Sequence, residues 1–327
     1  MNKKRIVSGM RPTGKLHLGH LHGALNNWKN LQDDYDCFYF IADWHALTSE
    51  YADTRIIKGS IYDIIMDWIS IGLDPEKATF FIQSHIKEHA ELHLIFSMIT
   101  PLPWLERNPT YKDQLKELSQ KDISTYGFLG YPVLQAADIL MYKASGVPVG
   151  EDQAPHVEMT REIARRFNHL YEEVFPVPDV LLTPTSKILG LDRRKMSKSY
   201  DNAIFLTDSD DDIDRRVGQM ITDTQRARRS DPGRPEVCNV FSFHEIYTDK
   251  ETVKQIDKEC RTAEIGCVDC KKIMARGLKK ALEPIKEKRA ELEVDIDRVR
   301  DIIEQGNARA RTIARETMAD VRESVGI

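Results

Sequence analysis

No stretch of the sequence approaches the roughly 18 consecutive apolar residues of a membrane span, and no low-complexity tract or internal repeat is present. Glycine and proline number only 17 and 14 in 327 residues, which removes collagen, fibre and disordered-chain readings. Five cysteines are too few for a secreted disulfide scaffold. Excess positive charge is lacking too. With 47 Lys and Arg against 52 Asp and Glu the net charge is −5, so a nucleic acid would have to meet a local basic surface. Lys3, Lys4 and Arg5 lead into Ile6-Val7 and then Gly and Pro turns, not into the apolar core of a signal peptide. These absences together predict a cytoplasmic globular protein with no membrane association.

At roughly 100 to 200 residues per domain the length predicts two domains. Strand-like segments at Arg5–Ser8, Cys37–Ala42, Thr79–Ile82, 147–150 and 180–182 alternate with helical periodicity at 18–31, 57–69 and 154–167, the pattern of an α/β, doubly wound parallel sheet with helices on both faces. Gly72 is placed as a C-cap. Prolines 101, 103 and 109 interrupt a helical stretch from about 86 to 125, which reads as an insertion. From 206 to 327 long charged helical segments, including 271–293 and 295–322, predict an all-helical C-terminal domain after a catalytic domain of residues 1–205.

Two short motifs carry chemistry. His17-Leu18-Gly19-His20 follows a strand and a Pro-Gly turn and opens a helix, where unpaired backbone N–H groups and imidazole donors suit an anion. Lys195-Met196-Ser197-Lys198-Ser199 puts two ammonium groups and two hydroxyls on one loop, and lysines brought in by loop closure suit the negative charge that develops on a leaving pyrophosphate. In this order and separation the two motifs resemble the signatures of class I aminoacyl-tRNA synthetases. The segments Ser8-Gly9-Met10-Arg11-Pro12-Thr13-Gly14, Ala42-Asp43-Trp44-His45-Ala46, Tyr131 to Leu140 and Val147 to Gln153 narrow the resemblance to the tryptophanyl-tRNA synthetases, over most of the first 235 residues.

That resemblance implies a Rossmann-like catalytic domain and a ligase that makes tryptophanyl-adenylate from L-tryptophan and ATP with Mg²⁺, then charges tRNA(Trp), as a homodimer. His17, Gly19, His20, Lys195, Met196, Ser197, Lys198 and Ser199 would form the catalytic set. It places Arg11, Pro12, Thr13, Gly19 and His20 on ATP, with Gly150, Glu151 and Asp152 on the ribose side. Ile188 and Met196 would lie near adenine, and Lys112, Lys195 and Lys198 on phosphates. Asp138 would accept the indole N–H, in a pocket shared with His45, Tyr131, Gln135, Gln153, Val7, Val147 and Val149. Arg11 and Gln135 stand where glutamine and methionine are usual. From the residues alone, Asp138 is a carboxylate in an apolar run (Val133, Leu134, Ala136, Ala137, Ile139, Leu140) and needs a donor partner.

Cys238, Cys260, Cys267 and Cys270 form a third motif. Four thiols without paired histidines suit a [4Fe–4S] cluster or tetrahedral zinc, and only one close pair argues against zinc. The segment resembles that of a subset of tryptophanyl synthetases associated with a [4Fe–4S] cluster. Arg226, Arg228, Arg229, Lys271 and Lys272 are the expected contacts to tRNA phosphates. Competing readings are a tyrosyl-tRNA synthetase, another nucleotidyltransferase, and a non-catalytic RNA-binding or iron-sensing paralogue.

Overall fold

A computed structural model describes residues 3–109, 111–112, 122–183 and 188–327, with only the backbone of Asp152. Part of the expected insertion, residues 110 and 113–121, lies outside this description. The chain forms two compact units, Met1–Gly14 with Asn26–Pro184 and Leu292–Ile327, and Lys15–Leu25 with Thr185–Glu291.

In the first unit, β1 (Arg5–Met10), β2 (Asp36–Ile41), β3 (Ala78–Ile82), β4 (Gly146–Val149) and β5 (Asp179–Leu182) build one parallel sheet in the order β3-β2-β1-β4-β5. The apolar runs Cys37–Ile41 and Ala78–Ile82 are buried along their whole length, as parallel strands covered on both faces must be. The chain winds outward through β2 and β3, then crosses back to place β4 on the other side of β1. The loops at the carboxyl ends of β1 and β4 therefore flank a topological switch point, where open α/β sheets bind ligands.

Helices α3 (Asp43–Glu50), α4 (Arg55–Ser70), α5 (Glu88–Ile99), α6 (Leu102–Arg107), α7 (Tyr126–Met141) and α8 (Ala154–Leu170) complete this unit's crossovers. The expected stop after α4 is there: Gly72 has φ +98°, a conformation that glycine adopts without strain. The periodicity at 18–31 is helical but not uniform, since α1 (Leu18–His20) and α2 (Asn26–Leu31) flank a π-turn at Leu21–Leu25. Phe38, Phe40, Phe81, Leu92, Phe96 and Leu140 lie at the centre of the main core.

The second unit carries α9 (Asp210–Gln219), α10 (Asn239–Tyr247), α11 (Lys250–Arg261) and most of α12 (Cys267–Val294). These units differ from a division at 205/206 in that Lys15–Leu25 and the chain from Thr185 belong to the second, while α13 (Ile296–Val325) returns to the sheet. Val299, Ile303, Ala310, Ala314, Met318 and Val321 make its buried stripe. Arg309 pairs with Asp36 at 2.6 Å, and Asn307 accepts the Ile82 N–H at 3.1 Å. An edge strand's backbone donor is thus capped by a helix side chain, which blunts the edge. A Cβ at Gly306 would lie 1.7 Å from the Phe80 carbonyl oxygen, so this helix can sit on β3 only with glycine there. No helix among the described residues is long and apolar enough to cross a membrane.

Two substitutions test this packing. Gly306→Ala forces the helix off β3 and lowers stability by about 2–3 kcal/mol. Gly59→Ala, in the interior of α4 with nothing within 4 Å of the new methyl, raises it by about 0.5–1 kcal/mol. Urea titrations of both variants give opposite shifts in midpoint.

Candidate active site

Within the first unit, Asp138 is fully buried on α7. Its Oδ2 lies 2.8 Å from His45 Nε2, its Oδ1 lies 2.6 Å from His89 Nδ1, and Gln83 Nε2 donates to both oxygens at 2.8 Å. Burial pushes this carboxyl up, and the hydrogen bonds from His45 and His89 more than offset it, so it ionises below the usual range. The donor partners that a carboxylate in an apolar run needs are supplied by the protein itself, from His45, His89 and Gln83. Gln83, His89 and Tyr142, whose hydroxyl is 2.6 Å from His89 Nε2, were not legible as site residues. Gln83 and Tyr142 border apolar runs, His89 stands among Lys87, Glu88 and Glu91, and no motif spacing marks any of the three.

The other candidates group around this network to different degrees. Tyr131 is buried, its ring is edge-on to His45 at 6.4 Å, and its hydroxyl meets His156 Nε2 at 2.9 Å. His156 is held in turn by Asn108 at 3.2 Å. Arg11 bonds Ser49 and has a buried Nε with no partner among the described residues. Burial disfavours its charge, and Glu50 and then Tyr131 oppose that effect. Gln135 is the one residue of 131–142 that is not buried, which leaves it facing accessible space. Val7 and Val147 are enclosed in the main core and Val149 is half-buried against it, so packing is their first role. Pro12 is buried, and Thr13 and Gly14 complete the turn after β1, where Gly14 donates to Ser60 Oγ at 2.8 Å. Gly150, Glu151 and Gln153 form the turn that opens α8, with the backbone of Asp152 between them. Lys112 is exposed.

In the second unit the two signatures meet. Leu18 N bonds the Ile204 carbonyl at 3.0 Å and Leu206 N bonds that of Leu16 at 3.0 Å, a short antiparallel ladder that sets His17 opposite Phe205. Gly19 N then points at Met196 Sδ, 3.3 Å away. The rings of His17 and His20 are 3.7 Å apart, and His20 Nδ1 accepts the His17 backbone N–H at 3.1 Å, which leaves the His20 proton on Nε2. Burial, and after it the Lys198 ammonium, lowers His17 to about 4. Burial, His17 and Lys198 push His20 well below the ordinary imidazole value. Both rings are therefore neutral near pH 7 and offer one N–H each.

The loop from Lys195 to Ser199 is laced by Asn202, a buried residue that sequence reading passed over. Its amide accepts from Ser197 N at 2.8 Å and donates to the Lys195 carbonyl at 3.2 Å and to Asp192 at 2.7 Å. Ser197 Oγ accepts from Ser199 N at 3.3 Å. Arg193 and Asp201, on either side of the loop, have φ of 67° and 47°, a region that non-glycine residues occupy at some strain. Ile188 is buried in the same unit.

The four cysteines come from separate elements of this unit. Cys238 precedes α10, Cys260 sits in the last turn of α11, and Cys267 and Cys270 lie in the first turn of α12. They share one electrostatic neighbourhood: burial, and after it Cys238, Cys260 and Cys267, raises the Cys270 thiol to about 12. A Cβ at Gly233 would stand 2.5 Å from Cys260 Sγ. No group of three or more His, Cys, Asp or Glu among the described residues is set to hold a metal ion as the chain stands. Two of the five basic residues expected at tRNA phosphates are engaged elsewhere. Arg226 donates to the carbonyls of Arg229 and Ile265 at 3.0 and 2.8 Å, and Lys271 to that of Gly218 at 2.7 Å. Arg228, Arg229 and Lys272 are exposed.

The depressed His17 value has a stability consequence. Between about pH 6.5 and 4 the unfolded chain binds a proton that folded His17 refuses, so stability is full above that window and falls as pH drops through it. His17→Gln removes this term, by up to about 3 kcal/mol across the window. Urea unfolding at several pH values gives the wild type a steeper acid loss than the variant.

Comparison with known proteins follows the same lines. Residues 1–283 match the family described as tRNA synthetases class I (W and Y). The chain is 53% identical over 325 residues to the tryptophan–tRNA ligase of Thermotoga maritima, covering 99% of both chains. It is 46% identical to that of Aquifex aeolicus, covering 99% of this chain and 100% of the other. The crystal structure of tryptophanyl-tRNA synthetase from Campylobacter jejuni complexed with ADP and tryptophan superimposes with a TM-score of 0.91 at 32% identity, over 99% of this chain and 100% of that one. A parallel sheet with a buried polar network in the crossovers after β2 and β3, two signatures joined through Gly19 and Met196, and relatives aligned end to end lead to one assignment: the chain belongs to the class I tRNA synthetases for tryptophan and tyrosine and, within them, to the tryptophan–tRNA ligases.

Proposed function

We propose that the two units divide the ligase reaction, the first recognising tryptophan and the second acting on the phosphates of ATP. In the first half-reaction a carboxylate oxygen of tryptophan attacks the α-phosphorus. The new P–O bond forms as the bond to the β-phosphate oxygen breaks, and Mg²⁺-bound pyrophosphate leaves. Lys195, Lys198 and Lys112 stabilise the charge gathering on the leaving group. His17 and His20 donate N–H groups to phosphate oxygens, Gly19 admits the nucleotide close to the backbone, and Ser197 and Ser199 shape the lysine loop. Ile188 and Met196 line the adenine side. Arg11, Pro12 and Thr13 contact ATP, and Gly150, Glu151 and Asp152 its ribose. In the second half-reaction the terminal ribose hydroxyl of tRNA(Trp) attacks the tryptophanyl carbonyl carbon and AMP leaves. The observation that carries this reading is the contact of Gly19 N with Met196 Sδ at 3.3 Å beside a lysine felt by both histidines.

Tryptophan is held with its indole N–H toward the Asp138 carboxylate, as a further donor beside His45, His89 and Gln83. His45, Tyr131, Gln135, Gln153 and Val149 surround it, and Val7 and Val147 back the wall from the core. The exposed Leu94 and Met98 of α5 and Leu102 of α6 support a homodimer buried across that face. The helical unit reads the tRNA anticodon through Arg228, Arg229 and Lys272, in the cytoplasm.

Cys238, Cys260, Cys267 and Cys270 bind a [4Fe–4S] cluster in this reading, with zinc as the alternative. An all-thiol donor set, one close pair and thiols that raise one another's pKa support it. Such a group supplies folding energy to the loops it ties, and its binding displaces the thiol protons.

Amino-acid-dependent ATP–pyrophosphate exchange on anaerobically purified protein tests the reading. Tryptophan supports exchange, and tyrosine and phenylalanine do so at least about 10³-fold less well. Lys198→Ala lowers kcat about 10²- to 10³-fold at unchanged thermal midpoint. Exchange with tyrosine instead would transfer the chain's activity to the tyrosyl branch. Metal analysis of the same preparation finds about four irons per chain, and stoichiometric zinc without iron overturns the cluster assignment.

A further inference from the structure

We infer that α10 is a strut that sets the two signatures at a fixed separation, and that Tyr247 and Asn239, at its two ends, are positioning residues for the ATP step. The inference rests on the assignment of the ATP phosphates to the two signatures made above.

The need for a strut is visible in the signatures themselves. α1 is three residues long and runs into the π-turn at Leu21–Leu25. So short a helix is not stable by itself, and a π-turn interrupts the regular helical bonding, so the direction of Gly19 and His20 is set by what holds each end. The start is held by the ladder of Leu16 and Leu18 with Ile204 and Leu206, beyond the lysine loop. The contact with the loop itself is Gly19 N on Met196 Sδ at 3.3 Å, and a thioether is a weak acceptor. By themselves these bonds would let the far end of the first signature and the base of the lysine loop pivot.

α10 supplies the missing constraint at both places. His22, inside the π-turn, has its Nε2 2.6 Å from the Tyr247 hydroxyl, with the two rings edge to face at 5.7 Å. Burial lowers His22 and raises the Tyr247 phenol, so both are neutral near pH 7 and share one proton in a single hydrogen bond. Tyr247 is itself seated, since a Cβ at Gly277 of α12 would stand 2.1 Å from its carbonyl oxygen. At the other end of this nine-residue helix, about 12 Å away, the buried Asn239 donates from Nδ2 to the Gly190 carbonyl at 2.9 Å. Asn239 Oδ1 is buried with no partner among the described residues. An apolar side chain there would cost the core less, and what the amide adds is the hold on Gly190.

Gly190 is the base of the lysine loop. Its N–H donates to the Arg194 carbonyl at 2.7 Å, its carbonyl also accepts from Arg193 N at 3.0 Å, and Leu189 bridges Lys195. A Cβ at Gly190 would lie 2.2 Å from Asn202 Nδ2, the amide that laces Lys195 and Ser197. Within α10, His244 Nε2 donates to the Cys270 carbonyl at 3.2 Å and its Nδ1 accepts the Thr248 hydroxyl at 2.8 Å, which keeps the helix from rolling against α12. The contacts close a ring: Gly19 to Met196, through Asn202 and Gly190 to Asn239, along α10 to Tyr247, and through His22 back to Gly19. A separation held by two routes does not pivot about either. Stabilisation of a developing charge falls steeply with a misplacement of about 1 Å, so opening the ring lowers kcat and leaves the tryptophan pocket of the first unit as it was.

The test measures kcat and the KM values for ATP and tryptophan by pyrophosphate exchange in full-length Tyr247→Phe, Asn239→Ala, His22→Leu and His22→Gln protein, with thermal midpoints alongside. Tyr247→Phe, which removes one oxygen and keeps the ring on His22, lowers kcat about 10-fold with KM for tryptophan within about 2-fold of wild type. His22→Leu matches it, and His22→Gln, whose amide reaches the position of Nε2, restores most of the rate. Combining Tyr247→Phe with Asn239→Ala loses less than the product of the single losses, because the ring is already open. A kcat within about 2-fold of wild type in folded Tyr247→Phe and His22→Leu overturns the inference. So does a rate lost equally in His22→Gln and His22→Leu, or a lowered thermal midpoint with kcat per folded molecule unchanged. Should Tyr247→Phe fail to fold, the two His22 variants decide. Undiminished exchange in Lys198→Ala overturns the assignment of the phosphates to the signatures, a result distinct from α10 variants that keep full rate beside a crippled Lys198→Ala.

Discussion

A buried negative charge at Asp138 is the constraint around which the sheet-bearing unit is arranged. Its partners come from two consecutive crossovers: His45 from the helix after β2, and Gln83 and His89 from the turn and then the helix after β3. Burying a carboxylate costs several kcal/mol, and its hydrogen bonds recover that cost only when the set is complete. Well-packed apolar residues would hold the same three segments together at least as firmly. The charge is therefore poorly explained as a stability device.

The same constraint gives the C-terminal helix a reason to return. α13 sits on β3 through Gly306 and Asn307, and Asn307 also bonds His85 Nδ1 at 2.9 Å, just past Gln83. Further along, Arg315 reaches Glu88 at 3.5 Å and Arg322 forks onto Glu91 at 2.6 and 2.7 Å, on the helix that carries His89. Surface ion pairs of this kind contribute little stability individually. Their placement on both sides of His89 matters more than their number, since they fix the register of α5 against α13 and so the reach of the imidazole to Asp138.

What could be read from the sequence follows from how local each signal is. Parallel strands buried on both faces declare themselves as apolar runs, and Phe38–Ile41 and Phe80–Ile82 did so. The α4 stop at Gly72 and the helix after Gln153 are equally local. The two signatures were legible as chemistry because charged and imidazole side chains beside Gly and Pro turns have few structural uses at that density. Nothing local marks Gln83, His89 or Tyr142: the first two are defined by a carboxylate some fifty residues away, and Tyr142 by the equally distant His89 imidazole. Nor could the amphipathic stripe of α13 say which surface it would cover; its charged face looked like one more helix of the second domain. Arg226 and Lys271 misled for the converse reason, since a basic residue beside a loop reads as a phosphate contact until the carbonyls it serves are seen.

The second unit applies a different electrostatic logic to the phosphates. Before a nucleotide binds, Lys198 acts against protonation of both His17 and His20, so the cationic charge of the joined signatures resides in the lysines. An imidazolium pair with ring centres 3.7 Å apart would repel itself and the loop that carries Lys198. Keeping the rings neutral lets Lys195 and Lys198 approach, while Nε2 of His20 still offers a proton to a phosphate oxygen. Once a polyphosphate is present its charge works in the opposite direction and strengthens every N–H donor around it. The Asn202 bonds tie the backbone of the lysine loop on both sides of Met196, and in the proposed reaction such restraint would spare entropy as charge develops on the leaving group. One unit thus holds a fixed negative charge whose neighbours are donors, and the other sets its lysines beside imidazoles kept neutral.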